Sequence, residues 1–409
     1  MNSGDPIGII ELDDVYLKCI IFQINEDNSL EVLSTSISSS LGIHNDIIVN
    51  LEKASNSIRT CVSACENKAK VSLKKINIVF EQPDFLCTKF SKHKKIGGSK
   101  IYKEDIEFLL KEAKKQLIQN DKNQSIIHIF NHNYIVDNKT FVEEPIGVYA
   151  DLITHEMSFI TTTKNNLKNI KQAFINCDLE VERLFSRTFG LGVQMLTTKE
   201  LHYGFIVVDL GFEKVSLGLF KNLALVHSST FPIGVNHIRK DISKVCSLDL
   251  EESKNIISQI DFSFENNHHL FDNNYLKETY FVSSNFRKIS KNLILDIIKS
   301  RLDEIVEKIK KQLILPEFDL NLGVGLSLAG EVENLSNIEK YFSTYFKNNI
   351  KHIDQVGDNK NQYLKKNFTA SLGIAKVIKD GWETEAIPKK TNKSMRKTGF
   401  FAKIFGIQQ

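Results

Sequence analysis

A strand pattern near the start of the chain recurs about 200 residues later, and that recurrence constrains the fold more than any other feature. Residues 6–24, "PIGIIELDDVYLKCIIFQI", are two apolar, β-branched runs split at Asp13 and Asp14, which predicts a β-hairpin. From Tyr203 the chain reads "YGFIVVDLGFEKVSLGLFKNLALVHSSTFPIG", three strand-like runs with turn residues between them. Both begin with an apolar strand, an acidic residue, a turn and another apolar strand. The interval is far too long for a solenoid period. It predicts two similar halves, each a mixed sheet flanked by helices.

The intervening residues fit that plan. In "IVNLEKASNSIRTCVSACENKAK" the apolar positions Ile48, Leu51, Ile58 and Val62 fall at helical spacing, and Val71 to Phe80 adds a strand. Lys103 to Gln119 is a charged amphipathic helix. "SIIHIFNHNYIVD" and "MSFITTTK" are strands, and "NLKNIKQAFINCDLEVERLF" is a helix followed by a strand. Asp241 to Leu313 is helical and charged, interrupted by the Asn-rich "DFSFENNHHLFDNNYLKE". His268 and His269 there read as loop side chains, because no acidic or thiol partner sits at ligand spacing. "LNLGVGLSLAGEVENLSNIEKYFSTYF" gives a strand, a Gly-containing turn and a helix. Beyond Val377, "KDGWETEAIPKKTNKSMRK" has the composition of a flexible linker.

With 409 residues and 42% hydrophobic content the chain can bury a sizeable core, and its length favours more than one domain. Lys and Arg number 53 against 50 Asp and Glu, a net charge of +3, so no overall field points to nucleic acid. The six cysteines (Cys19, Cys61, Cys65, Cys87, Cys177, Cys246) lack zinc-site spacing and read as reduced thiols of a cytoplasmic protein. The sequence shows no secretory leader and no apolar run of about 18 residues, so neither export nor a membrane span is expected.

Residues 131–185, with "YIVD", "EEPIGVYADLITHEMSFITTTK" and "CDLEV", together with "GFIVVDLG" at 204–211 and "FPIGVNHIRKDISKVCSLDLEESKNI", resemble the FtsA family of bacterial cell-division proteins, within the actin and Hsp70 ATPase superfamily. The likeness runs from about Gly8 to Val377 and resumes at the C-terminus. It implies an α/β, actin-like (ribonuclease H-like) two-domain fold with an inserted FtsA-type subdomain, a flexible linker and a C-terminal amphipathic helix. The first core would comprise residues 6–82 and 166–200, the inserted subdomain 83–165, and the second core 201–240 and 305–378. Residues 241–304 would be a further subdomain, 379–396 the linker and 397–409 the helix. The resemblance also implies a scaffold on the cytoplasmic face of the inner membrane at the division site. Such a protein polymerises, binds the C-terminal peptide of the ring protein FtsZ and recruits later division proteins.

In that superfamily two glycine-rich hairpins cradle ATP phosphates, an acidic residue organises magnesium, and a glycine pair faces the adenosine. The positions that the resemblance assigns to ATP with magnesium are Glu11, Asp209, Gly211 and Gly330. Here the first hairpin reads Glu11-Leu12-Asp13-Asp14 where Gly and then Ser or Thr are expected, and extra carboxylates repel a triphosphate. The second reads Phe212-Glu213-Lys214 after Asp209 and Gly211. The third, "GLSLAGEVENL", carries Ser327 and Leu328 in place of the paired glycines. Asp209 and Glu11 read as turn residues that satisfy backbone donors ahead of any catalytic role. Catalysis is not expected.

The chain ends "TGFFAKIFGIQQ". On a helix, Phe400, Phe401, Ile404, Phe405 and Ile407 fall within an arc of roughly 160°, with Lys403, Gly406 and Gln409 outside it. Lys389, Lys390, Lys393, Arg396 and Lys397 precede it, with no acidic residue after Glu385. A short cationic amphipathic segment behind a linker fits an interfacial helix on an anionic membrane; docking on the protein's own core is the alternative. Nucleic-acid binding has no other support in the chain. "NFRKISKNLILDIIKSRLDEIVEKIKKQL", residues 285–313, is predicted as one amphipathic helix. Its Arg287, Lys288, Lys291, Lys299 and Arg301 are candidates for the FtsZ-tail site, or simply a solvated face. A pilus-assembly actin homologue shares the expected fold but lacks such a tail, and an active ATPase or sugar kinase would need intact glycine loops.

Overall fold

The structure, a computed structural model, describes residues 4–142, 144–314, 324–330, 335–346, 350–351 and 359–386. The first half opens with an antiparallel meander of β1 (Ile7–Glu11), β2 (Tyr16–Ile24) and β3 (Leu30–Ser39), in which Ile7 lies opposite Phe22 and Tyr16 opposite Ser39. The short strands β4 (Ile43–His44) and β5 (Ile47–Ile48) lead into α1 (Leu51–Ala69). The Asn50 side chain accepts the Lys53 N–H and caps that helix, which buries Ile58, Cys61, Val62 and Cys65 at helical spacing. β6 (Lys75–Phe80) runs parallel to β1, pairing Gly8 with Ile76.

A self-contained layer is then inserted. β7 (Leu86–Lys100), α2 (Lys103–Asn120), β8 (Gln124–Val136), β9 (Thr140–Val142) and β10 (Tyr149–Thr163) form a sheet ordered β7-β10-β8-β9 with α2 across one face. Its core brings Ile106, Leu109 and Ala113 of α2 against Phe90, Ile129 and Phe159. The chain returns through α3 (Lys164–Ile175) to β11 (Glu180–Ser186), which runs parallel to β6, and then α4 (Arg187–Met195) and α5 (Thr198–Tyr203).

The second half repeats the opening with β12 (Phe205–Leu210), β13 (Val215–Lys221) and β14 (Ala224–Phe231). Helices α6 (Val235–Cys246) and α7 (Leu250–Ile257) follow, then the short β15 (Phe271–Asp272) and β16 (Tyr275–Leu276), and α8 (Lys291–Leu313). β17 (Gly325–Gly330), α9 (Ile338–Phe346), β18 (Ile350–Lys351), α10 (Asn359–Asn367) and α11 (Thr369–Asp380) complete the described elements. The sheet orders are β3-β2-β1-β6-β11 and β14-β13-β12-β17-β18. In each, a meander is followed by two later strands beside its first strand, so the recurrence in the sequence is a recurrence of topology. Two compact units result: Met1–Phe205 with Gly218–Ser229 and Gln355–Gln409, and Ile206–Leu217 with Thr230–Asp354.

Four expectations change. The strand expected at Val71–Phe80 begins only at Lys75, and the helix expected from residue 285 begins at Lys291, after Ser290 accepts the Leu293 N–H as its cap. β3 and the 15-residue β7 were not anticipated. β7 reads "LCTKFSKHKKIGGSK", and as an edge strand it carries lysines rather than apolar alternation. Finally, residues 379–386 of the expected linker are folded: α11 extends to Asp380, Gly381 turns the chain at φ 76°, Trp382 packs against Phe189 of α4, and Thr384 to Ala386 lie along β8 of the inserted subdomain. Among the described residues no helix is long and apolar enough to cross a membrane.

In α7, buried Glu252 accepts the N–H groups of Val282, Ser283 and Ser284 at 2.6–2.8 Å and the Ser284 hydroxyl at 2.5 Å. Burial pushes this carboxyl up, but the Ser284 hydroxyl and these amides outweigh it and hold the pKa at about 2.

Candidate functional site

The first hairpin turn belongs to the first unit. Glu11 ends β1 with 1% of its surface exposed. Its Oε2 accepts from Arg187 Nη1 at 2.8 Å, and its Oε1 accepts the Ser371 N–H at 2.9 Å and hydroxyl at 2.6 Å. Arg187 is the first residue of α4, placed there because Ser186 caps that helix by accepting the Phe189 N–H. The same guanidinium lies 3.8 Å from Asp13. Asp14 accepts the Asn45 N–H at 2.5 Å and lies 3.3 Å from the His44 ring. The turn's acids therefore serve internal donors.

The second hairpin turn belongs to the second unit. Asp209 is buried near the end of β12, and Gly330, at φ 87°, closes β17 beside it. A Cβ on Gly330 would come within 2.4 Å of Asp209 Oδ1 and 2.6 Å of the Leu210 carbonyl oxygen, so only glycine fits. The Gly211 N–H donates to the Lys214 carbonyl at 2.9 Å, closing the turn. The first turn of α6 presses against it, with the Val235 and Asn236 N–H groups donating to the Gly211 and Phe212 carbonyls. Above these, Arg239 lies over the Phe212 ring at 5.2 Å, and the Glu213 carboxylate accepts from Asn236 Nδ2 at 2.5 Å and Lys240 Nζ at 3.1 Å. The structure thus brings Asp209, Gly211 and Gly330 together in one unit and places Glu11 in the other.

A nucleotide with magnesium requires turns bare enough for phosphate oxygens to reach backbone N–H groups, and an acid with an open edge for hydrated metal. In the first turn the acid is committed to Arg187 and Ser371, and two further carboxylates follow it. In the second, a phenyl ring and a carboxylate held by Asn236 and Lys240 occupy the turn. The residues present do not fit the group.

The five basic candidates in the second unit are also engaged. Arg287 donates to the carbonyls of Cys246 and Ser247, at the C-terminal end of α6, and Arg301 donates to Asp241 at 2.7 Å and to Glu304. Lys288, Lys291 and Lys299 sit 5.5, 5.9 and 4.8 Å from the ring centres of Tyr275, Phe271 and Phe264. They form no single patch along one helix, since Arg287 and Lys288 precede α8. The membrane candidates Lys393, Arg396, Lys397, Phe400, Phe401, Lys403, Ile404, Phe405 and Ile407 lie outside the described residues.

One site had no signal in the sequence. Trp382 Nε1–H and the Thr384 hydroxyl both donate to the Leu223 carbonyl, at 2.6 and 2.8 Å. The Asn131 N–H donates to the Thr384 carbonyl and the Ala386 N–H to that of Ile129, so residues 384–386 lie antiparallel along β8. Glu385, fully buried, accepts from His128 Nδ1 at 2.5 Å and Arg183 Nη2 at 2.9 Å. His128 Nε2 accepts the Ser186 N–H at 3.0 Å, which fixes the neutral tautomer protonated on Nδ1. Burial holds His128 below the usual histidine range. The Glu385 carboxyl is pushed up by burial, but the charge of Arg183 and the His128 donor bring it below its ordinary value.

Residues 86–161 match the family described as the SHS2 domain inserted in FtsA, and residues 206–373 match cell division protein FtsA. Cell division protein FtsA of Buchnera aphidicola subsp. Baizongia pistaciae is 23% identical over 320 residues, 76% of this chain and 75% of that one. The protein of the same name from Borreliella burgdorferi is 21% identical over 397 residues, 95% of this chain and 94% of that one. Among solved structures, the PilM-PilN type IV pilus biogenesis complex superposes with a TM-score of 0.62 at 11% identity, over 90% of this chain and 97% of that one. MreB5 of Spiroplasma citri bound to ADP does so with a TM-score of 0.50 at 14% identity, over 92% and 98%. At such identities the solved structures speak for the actin-like α/β fold alone. The two family matches together span more than half the chain, one in the inserted layer and one in the second half, and the chain belongs to the FtsA family of cell-division proteins.

Proposed function

We propose that this cell-division protein is a membrane tether for the FtsZ ring, at the cytoplasmic face of the inner membrane. The observation that carries the reading is the sequence of residues 389–407, five cations followed by five large apolar residues at a spacing that a helix would gather on one face. Burial of each large side chain in an interface contributes about 1.5–3 kcal/mol, and each nearby cation about 1 kcal/mol on anionic lipid. Together these suffice for a reversible peripheral anchor. The second unit receives the FtsZ C-terminal peptide, copies of the chain associate into filaments, and the inserted subdomain recruits later division proteins.

The test is flotation of the full-length protein with anionic vesicles, beside a chain ending at Ala386 that keeps the docked Trp382–Ala386 segment. A fluorescent FtsZ C-terminal peptide is added to both. The full chain is expected to float and carry the peptide, and the shortened chain to stay at the bottom while still binding the peptide. Equal behaviour of the two chains would refute the tether.

A further inference from the structure

Glu11 is held from two helices within a single unit. Its buried carboxylate takes the Arg187 guanidinium of α4 on one oxygen and the Ser371 amide and hydroxyl of α11 on the other. Those helices are themselves locked together: a Cβ on Gly373 of α11 would meet the Gly190 carbonyl oxygen of α4 at 1.9 Å. We infer that this ion-paired carboxylate is a permanent internal latch between α4 and α11 and not a ligand held ready for nucleotide-bound magnesium, so that the protein works as a scaffold without ATP.

The physical case rests on what release would require. Arg187 is buried at 8% exposure, and taking one partner from a buried ion pair leaves an uncompensated charge that costs far more than a surface pair yields. An acid that had to pass between these partners and hydrated magnesium in every cycle would pay that penalty each time. The second turn points the same way from independent residues. Glu213 places a carboxylate over the first turn of α6, where oriented amides favour an anion, and Asn236 and Lys240 hold it there. Each turn carries its own tethered acid with its own donors. This inference does not depend on the membrane reading.

The test uses the full-length protein. Its melting midpoint is followed in millimolar MgATP and MgADP. The latch requires an unchanged midpoint. A midpoint that climbs with the logarithm of nucleotide concentration, as mass action demands of a ligand for the folded state, would overturn it. Variants measured without nucleotide give the opposite-signed prediction. Glu11→Gln keeps the shape but removes the charge pair and should lower the midpoint by several degrees, and Ser371→Ala by a smaller amount. A carboxylate kept for a ligand would instead leave the midpoint unchanged or raise it when neutralised. Should Glu11→Gln fail to fold, Ser371→Ala decides alone, and a midpoint at or above the parent's rules the latch out.

Discussion

Two carboxylates show how single residues set the pH limits of this fold. Glu252 is ionised in the folded protein down to about pH 2, against an ordinary value near 4.5, so its contribution to stability is complete above about pH 4.5. It is lost as the pH falls through the interval between the two values. Denaturant titrations across that interval should show stability falling with acid, and Glu252→Gln should flatten the slope while lowering stability at neutral pH. Glu385 works with His128, whose pKa is lowered by burial, so the stability drawn from its neutral form is complete above about 6.5, the unfolded value, and is lost as the pH falls from there through the lower folded value. Trp382, the chain's only tryptophan, sits in the docked segment, so its emission should shift to the red as acid is added beyond the usual histidine range. His128→Gln should remove that step. The sequence marked Glu11 and Asp209 as noteworthy but not their partners. Arg187 and Ser371 are 176 and 360 residues from Glu11, and nothing local signals such a pairing.

At the scale of elements, α4 and α11 pack closely enough that glycines replace side chains between them. Gly373→Ala gains about 1 kcal/mol in helix propensity, but its methyl must displace the Gly190 backbone. Overpacking of that kind costs about 1–3 kcal/mol, so the variant should melt several degrees lower, whereas Gly147→Ala has open space and should lose only what its positive φ demands. The helices α1, α2 and α3 were legible because their apolar positions recur at helical spacing over three or more turns. β1, β2 and the β12–β14 meander were legible because they are buried, β-branched runs. β7 was not, since a strand paired on one side and rich in lysine carries neither signal. The start of α8 was misplaced because residues 285–290 share its charge pattern, and only the Ser290 cap separates them.

At the scale of the molecule, the recurring sheet order ties the two halves to a common plan, and the inserted layer is the departure from it. The proposed anchor is partly electrostatic, so flotation of the full chain should weaken as salt is raised and as anionic lipid is withdrawn, while retaining the part that the apolar face supplies. A tail held by apolar contact alone would show no salt dependence. The docked segment Trp382–Ala386 has a mechanical meaning for such a tether. Because the chain passes along β8 before continuing to the tail, a pull from the membrane meets the inserted sheet's hydrogen bonds and the buried Glu385 ion pair before it reaches α11. The load is then shared between β8 of the inserted subdomain and, through Arg183, β11 of the first core sheet.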